Sequence, residues 1–309
     1  MRSIAIRVAR WIVALSALGL LIRYVGASDV LVALQAIHPL AVLIYTVAFA
    51  LVPFIYAVQV SGALRRLGHP VSRELTMRAT VHSWSVGTLT PARAGDLSLA
   101  FFLGSAAPAL DATAIVIVDK LVSLVVLALL AIVSVIVVQA PYATAFAIGT
   151  SWVLGGICAV LALVAVPARG ASSGSLARRV LGVPGAETWD RIREIVTKRG
   201  LLRWSLTMAL VRWGYVCAAN LLLFWGTGAR PGFGTVVAAT AIGRIISLIP
   251  VSIGGLGVKE PLQIVLYAGA GVPAKTVIAV SVIGMGCGLL AASLVPLLVR
   301  VPRPVGEGR

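Results

Sequence analysis

The chain has 309 residues, 60% of them hydrophobic and only 12% charged, and its mean hydropathy is +1.03. Several apolar runs reach the roughly 20 residues that a helix needs to cross a bilayer, which excludes a soluble globular domain and indicates a polytopic membrane protein. The net charge of +16 does not point to nucleic acid, because the basic residues gather in a few polar segments between apolar runs, as juxtamembrane charge does.

Met1 to Val25 has a basic start and an apolar run but no small-residue cleavage site, so it reads as a retained first helix over about Trp11–Val25. A second apolar run covers about Leu40–Val60. The basic segments are Arg2, Arg7 and Arg10; Arg65, Arg66, Arg73 and Arg78; the stretch from Arg169 to Arg203; and Arg300, Arg303 and Arg309. The positive-inside rule puts these segments on the cytoplasmic side of the cell membrane, and both termini with them. Ala112–Val138 ends at the uncharged turn Gln139-Ala140-Pro141, and Ile148–Val166 then delivers a basic linker, about 167–203, to the cytoplasm.

Both conditions require residue 111 to lie inside. Ala79–Gly104 must therefore enter and leave on the cytoplasmic side; it is too short for two spans and is broken at Pro91 to Gly95. The same count makes Thr235–Ala270, broken at Pro250 to Gly257, begin and end outside, between an outward run Leu206–Trp225 and an inward run Val277–Val299. The expectation is an all-α, single transmembrane domain over 1–309, with about six full spans plus two opposed re-entrant helical hairpins forming an inverted repeat. Leu176 to Arg199 mixes Arg with apolar residues and reads either as a helix lying on the cytoplasmic membrane surface or as a solvated linker.

Both breaks place charge where hydrocarbon is expected. A charge near the bilayer centre costs roughly 3 kcal/mol on insertion scales, so it persists against a cavity, a partner or a substrate. The substrate-binding candidates are Arg93, Gly95 and Asp96 at the first break and Arg244, Gly254, Gly255, Gly257, Lys259 and Glu260 around the second. The glycines permit tight turns and close backbone approach, the half-helix N-termini offer free N–H groups, and Arg93 and Arg244 suit bidentate contact with phosphate. Two roles are open to Asp96 and Glu260: work on the substrate, by steering bases or carrying a proton, or capping of a half-helix beside a base. Asp119, Lys120 and Arg212 are secondary candidates, as an interfacial ion pair or as cavity lining.

His38, His69 and His82 lack metal-ligand spacing, and Cys158, Cys217 and Cys287 are widely separated in apolar runs, so no metal site or disulfide framework is implied. With no nucleophilic triad, nucleotide loop or zinc motif in the sequence, neither a catalytic residue nor a cofactor is expected.

The string Gly243-Arg244-Ile245-Ile246-Ser247-Leu248-Ile249-Pro250, followed by Gly254-Gly255-Leu256-Gly257-Val258-Lys259-Glu260, resembles the signature of the lysylphosphatidylglycerol synthase transmembrane family, also called the flippase-like or UPF0104 family. Pro91, Arg93, Gly95 and Asp96 resemble its Pro-x-Arg-x-Gly-Glu element, and Asp119-Lys120 its Glu-Arg pair; this chain has Asp for Glu at 96 and 119 and Lys for Arg at 120 and 259. The resemblance implies a lipid flippase or translocase for an anionic or polyprenyl-phosphate-linked head group in cell-envelope biogenesis, not an enzyme. The alternative is a membrane-embedded transferase, or an accessory subunit holding a polyprenyl phosphate for a partner glycosyltransferase or synthetase. Because Val301–Arg309 is only a short tail, an aminoacyl-lipid synthase is not expected. The partners so implied are membrane lipids, not nucleic acid.

Single cysteines placed at 105–110 and at 228–233 should be labelled from opposite faces of the membrane, the first set from the cytoplasm. Labelling of both sets from one side would remove the opposed hairpins.

Overall fold

The computed structural model describes residues 25–138, 187–247 and 257–301, with isolated positions at 16, 19, 20, 22, 23 and 155. The described residues are helical, with no strand among them. In order they form α1 (Ala27–Gln35), α2 (Pro39–Arg66), α3 (Arg73–Leu89), a 3-10 segment (Pro91–Ser98), α4 (Leu99–Leu103), α5 (Ala109–Val138), α6 (187–197), α7 (Arg199–Gly226), α8 (Phe233–Ile246), α9 (Lys259–Ala268) and α10 (Ala274–Leu298). Four of these, α2, α5, α7 and α10, are long and apolar enough to span a membrane. Most of the expected span Trp11–Val25, all of Ile148–Val166 except position 155, and the turn at 139–141 lie outside the described residues.

The two halves share one plan. Helices α2 and α7 are each 28 residues long and begin 160 positions apart. Each is followed by a turn at a left-handed glycine, Gly68 (φ 91°) and Gly228 (φ 82°), also 160 positions apart, a conformation that any Cβ would strain. Starts are specified locally. Pro39 occupies the first turn of α2, where its missing N–H removes no bond, and the Ser72 hydroxyl accepts from Leu75 N–H at 3.2 Å to open α3.

The halves are inverted relative to each other. His38 N–H donates to Gly226 O at 2.9 Å, joining the start of α2 to the end of α7, and Trp204 Nε1 donates to Gln59 O at 2.9 Å near their other ends. Corresponding helices therefore run antiparallel. The first arm of each hairpin packs against the last helix of the opposite half, α3 on α10 and α8 on α5. At one end of the bundle, Asp111 at the start of α5 bonds His69, which precedes α3, and accepts from Arg191 Nη2 of α6 at 2.8 Å. The α3–α4 hairpin thus enters and leaves at that end. Lys275 at the start of α10 lies 3.7 Å from Asp29 of α1, beside the α2 start and α7 end, so the α8–α9 hairpin enters and leaves at the opposite end. This is the parity inferred from loop charge.

The α3 helix could not have been found by hydropathy. Thr76, Thr80, Ser83 and Ser85 are buried, but within protein, because the 3-10 segment folds back along the helix while α2 and α10 pack beside it. Neither reading of 176–199 holds for its described part. Ile192, Ile195 and Val196 of α6 are buried in the main hydrophobic core, and Arg191 ties the helix to Asp111, so α6 docks into the bundle, neither floating in solvent nor presenting its apolar residues to a membrane surface. Outside the span, Lys198 and Arg191 hydrogen-bond the Glu194 carboxylate and hold it below the usual carboxylate range.

Gly62 of α2 faces the Trp204 indole, and a Cβ there would overlap the ring. Gly62→Leu is expected to expel Trp204 and to destabilise by about 1–3 kcal/mol through overpacking, seen as a lower midpoint in thermal unfolding of the detergent-solubilised protein. Gly155→Leu, with open space at the site, serves as the control.

A charged cavity where the two hairpins meet

Helix α3 stops at Thr90, whose Oγ1 accepts from Gly95 N–H at 2.8 Å and whose carbonyl accepts from Arg93 N–H at 3.1 Å. That tight wrap places Arg93 at φ 55°, the one non-glycine among the described residues in the left-handed region, a conformation that surrounding contacts must maintain. Gly95 lies against α3, where a Cβ would come within 2.6 Å of the Val86 backbone. Asp96, 1% exposed, receives Arg93 Nε at 3.1 Å and Nη2 at 3.3 Å, and is paired with Lys120 of α5.

A cavity of about 520 Å³ opens beside this turn, within the range of small-molecule sites. Both halves line it. Arg93 and Asp96 come from the first hairpin, Arg244 and Lys259 from the second, Asp119 and Lys120 from α5 and Arg212 from α7. Asp119 accepts from Arg212 Nη2 at 2.7 Å and from Gln59 Nε2 at 2.8 Å, and the same Nη2 reaches Ser123 Oγ at 2.7 Å. Lys259 lies 3.8 Å from Glu260, whereas Arg244 has no carboxylate within ion-pair distance among the described residues.

Three guanidinium groups stack on aromatic rings in the wall: Arg93 on Trp84 at 5.9 Å, Arg212 on Tyr56 at 4.9 Å and Arg244 on Trp213 at 5.5 Å. Each ring face is attracted to the cation above it, and the Arg93 and Arg212 N–H groups reach Asp96 and Asp119 at the same time. The Tyr56 hydroxyl and Trp213 Nε1 are buried with no hydrogen-bond partner among the described residues. A second hollow of about 550 Å³, between 36–44 and 222–228, is lined by no ionisable side chain except His38, which marks the charged cavity as the candidate site.

The expected residues divide into three groups. Arg93, Asp96, Arg244 and Lys259 come together in the cavity wall, with Asp119, Lys120 and Arg212 beside them. Arg212 and Asp119 are a buried cross-half pair, not an interfacial one. Gly95, Gly257 and Glu260 form no part of the wall. Glu260 is fully buried, accepting from Gly257 N–H at 2.6 Å and Ser281 Oγ at 2.6 Å, so it closes the turn that starts α9. Gly254 and Gly255 lie outside the described residues. His82 bonds Val299 O at 3.1 Å away from the cavity.

Sequence reasoning missed the aromatic lining. Tyr45, Phe49, Val52 and Tyr56 of α2 all face the cavity and follow the i, i+4, i+7, i+11 spacing of one helix face. That stripe was the available signal, though such a stripe also serves ordinary core packing.

The family model described as "Lysylphosphatidylglycerol synthase TM region" matches residues 5–295. A "UPF0104 membrane protein" of Methanothermobacter thermautotrophicus is 26% identical over 112 residues, which are 36% of this chain and 32% of that protein. The alignment thus spans about a third of that relative's length.

Asp119→Asn should leave the Arg212 guanidinium buried without its counter-ion and destabilise by about 3–5 kcal/mol. Adding Arg212→Gln should recover much of that loss, read as thermal or denaturant midpoints of the two singles and the double. Additive losses would mean that the pair is not coupled.

Proposed function

Taking as premise that the chain belongs to the lysylphosphatidylglycerol synthase transmembrane-region family, we propose that it moves a lipid with an anionic, phosphate-bearing head group between leaflets of the cell membrane. The observation that carries this reading is the cavity at the meeting of two opposed hairpins, lined by Arg93, Lys120, Arg212, Arg244 and Lys259 amid aromatic rings. Such a lining suits a polar anion attached to an apolar body. The guanidinium groups supply charge-assisted hydrogen bonds to such an anion.

Inverted hairpins give a direct route from head-group binding to transfer. Each half brings its own broken segment to the site from its own end of the bundle, so rocking of one half against the other would expose the cavity first to one face and then to the other. The acids have separate work in this scheme: Asp96 and Asp119 position the basic side chains, while Glu260 keeps the second turn closed. The basic termini and linker face the cytoplasm in this reading.

Movement of a fluorescent anionic lipid across proteoliposomes containing only this chain tests it. Arg244→Gln strands no acid, and should weaken anionic-lipid binding by about 1.5–3 kcal/mol and slow transfer accordingly. Arg93→Gln should slow it as well, since Lys120 remains to neutralise Asp96. Wild-type transfer by both variants at normal expression would place the substrate elsewhere.

A further inference from the structure

The chain contains ten acidic residues, and nine of them are described, so the charge of the cavity can be accounted for. Asp29 faces Lys275, Glu74 pairs with Arg78, Asp111 with His69 and Arg191, and Glu194 with Arg191 and Lys198. Glu187 and Asp190 are exposed on α6, and Glu307 belongs to the tail with Arg303 and Arg309. Among the described residues three carboxylates remain for the five cations of the cavity. Arg212 takes Asp119, Lys259 takes Glu260, and Asp96 is shared between Lys120 and Arg93.

Among the described residues two positive charges are therefore in excess, and the segment 248–256 does not offset them because its sequence contains no charged residue. With Lys120 assigned to Asp96, the excess falls on Arg93 and Arg244, one from each hairpin. Both are guanidinium groups, which keep their proton, so the excess cannot be relieved by titration. Arg93 and Arg244 line the same cavity, one from each hairpin, so their like charges meet in one space. Two fixed cations in excess in one cavity define the complement of a doubly charged oxyanion.

We infer that the site selects a head group carrying two negative charges, a phosphomonoester or a diphosphate, over singly charged phosphodiester lipids. This rests on the head-group reading above. A phosphodiester such as phosphatidylglycerol satisfies one guanidinium and leaves the other uncompensated, whereas a dianion satisfies both. The cavity would thereby reject the singly charged lipids that surround the protein.

The test uses the full chain in a non-ionic detergent at pH 8.5, titrated with dioleoylphosphatidic acid, dioleoylphosphatidylglycerol and dioleoylphosphatidylcholine, which share their acyl chains. Fluorescence of the tryptophans, two of which line the cavity, reports binding. Phosphatidic acid should bind about tenfold more tightly than phosphatidylglycerol, the factor expected for one additional charged hydrogen bond. That ratio should shrink as pH falls through the second phosphate ionisation near 6. Arg244→Gln should bring the ratio close to one, and Arg244→Lys, which keeps the charge, should retain most of it. Equal affinity for the two anionic lipids, both above phosphatidylcholine, overturns the dianion inference and leaves the head-group reading standing. No discrimination of either from phosphatidylcholine overturns both. Competition by glycerol 3-phosphate at the concentration where phosphatidic acid binds overturns the lipid as the source of the dianion.

Discussion

A charge held at bilayer depth is several kcal/mol unfavourable unless an opposite charge or a polar partner lies beside it, and the centre of this protein is organised around that constraint. Asp119 on α5 meets Arg212 on α7, so one half of the chain neutralises the other. Asp96 at the first break meets Lys120 of α5 in addition to its neighbour Arg93. These pairs satisfy buried charge and at the same time fix how α5, α7 and the first hairpin sit together. The apolar contacts of α2 with α7 and of α8 with α5 fill the space around them but select no particular charge.

The repeat is close in backbone and loose in chemistry. Two 28-residue helices, two left-handed glycine turns and two hairpins recur at nearly constant offset, because each half must solve the same problem of returning a broken segment to its own side. The acids differ. Asp96 reaches the cavity wall, whereas Glu260 turns back to its own loop and to Ser281. A symmetric scaffold thus carries an asymmetric site, in which one hairpin presents a partly compensated base, Arg93, and the other an uncompensated one, Arg244.

The sequence by itself determined the membrane class and the relative parity of the two hairpins. Hydropathy measures transfer of whole segments, and loop charge measures which side they end on, and both are local sums. They sufficed for α2, α5, α7 and α10 and for the opposed entry of the hairpins. They also picked out Arg93, Asp96, Arg244 and Lys259, because isolated charge in an apolar run stands out without reference to any other part of the chain. What only the tertiary structure decided is which of those charges face one another. Arg212 and Asp119 lie 93 positions apart, and their pairing depends on the rotation of two helices about their own axes, which no local sum contains. The same holds for Tyr56 and Trp213, whose rings enter the cavity wall beside Arg212 and Arg244 only because of how α2 and α7 pack.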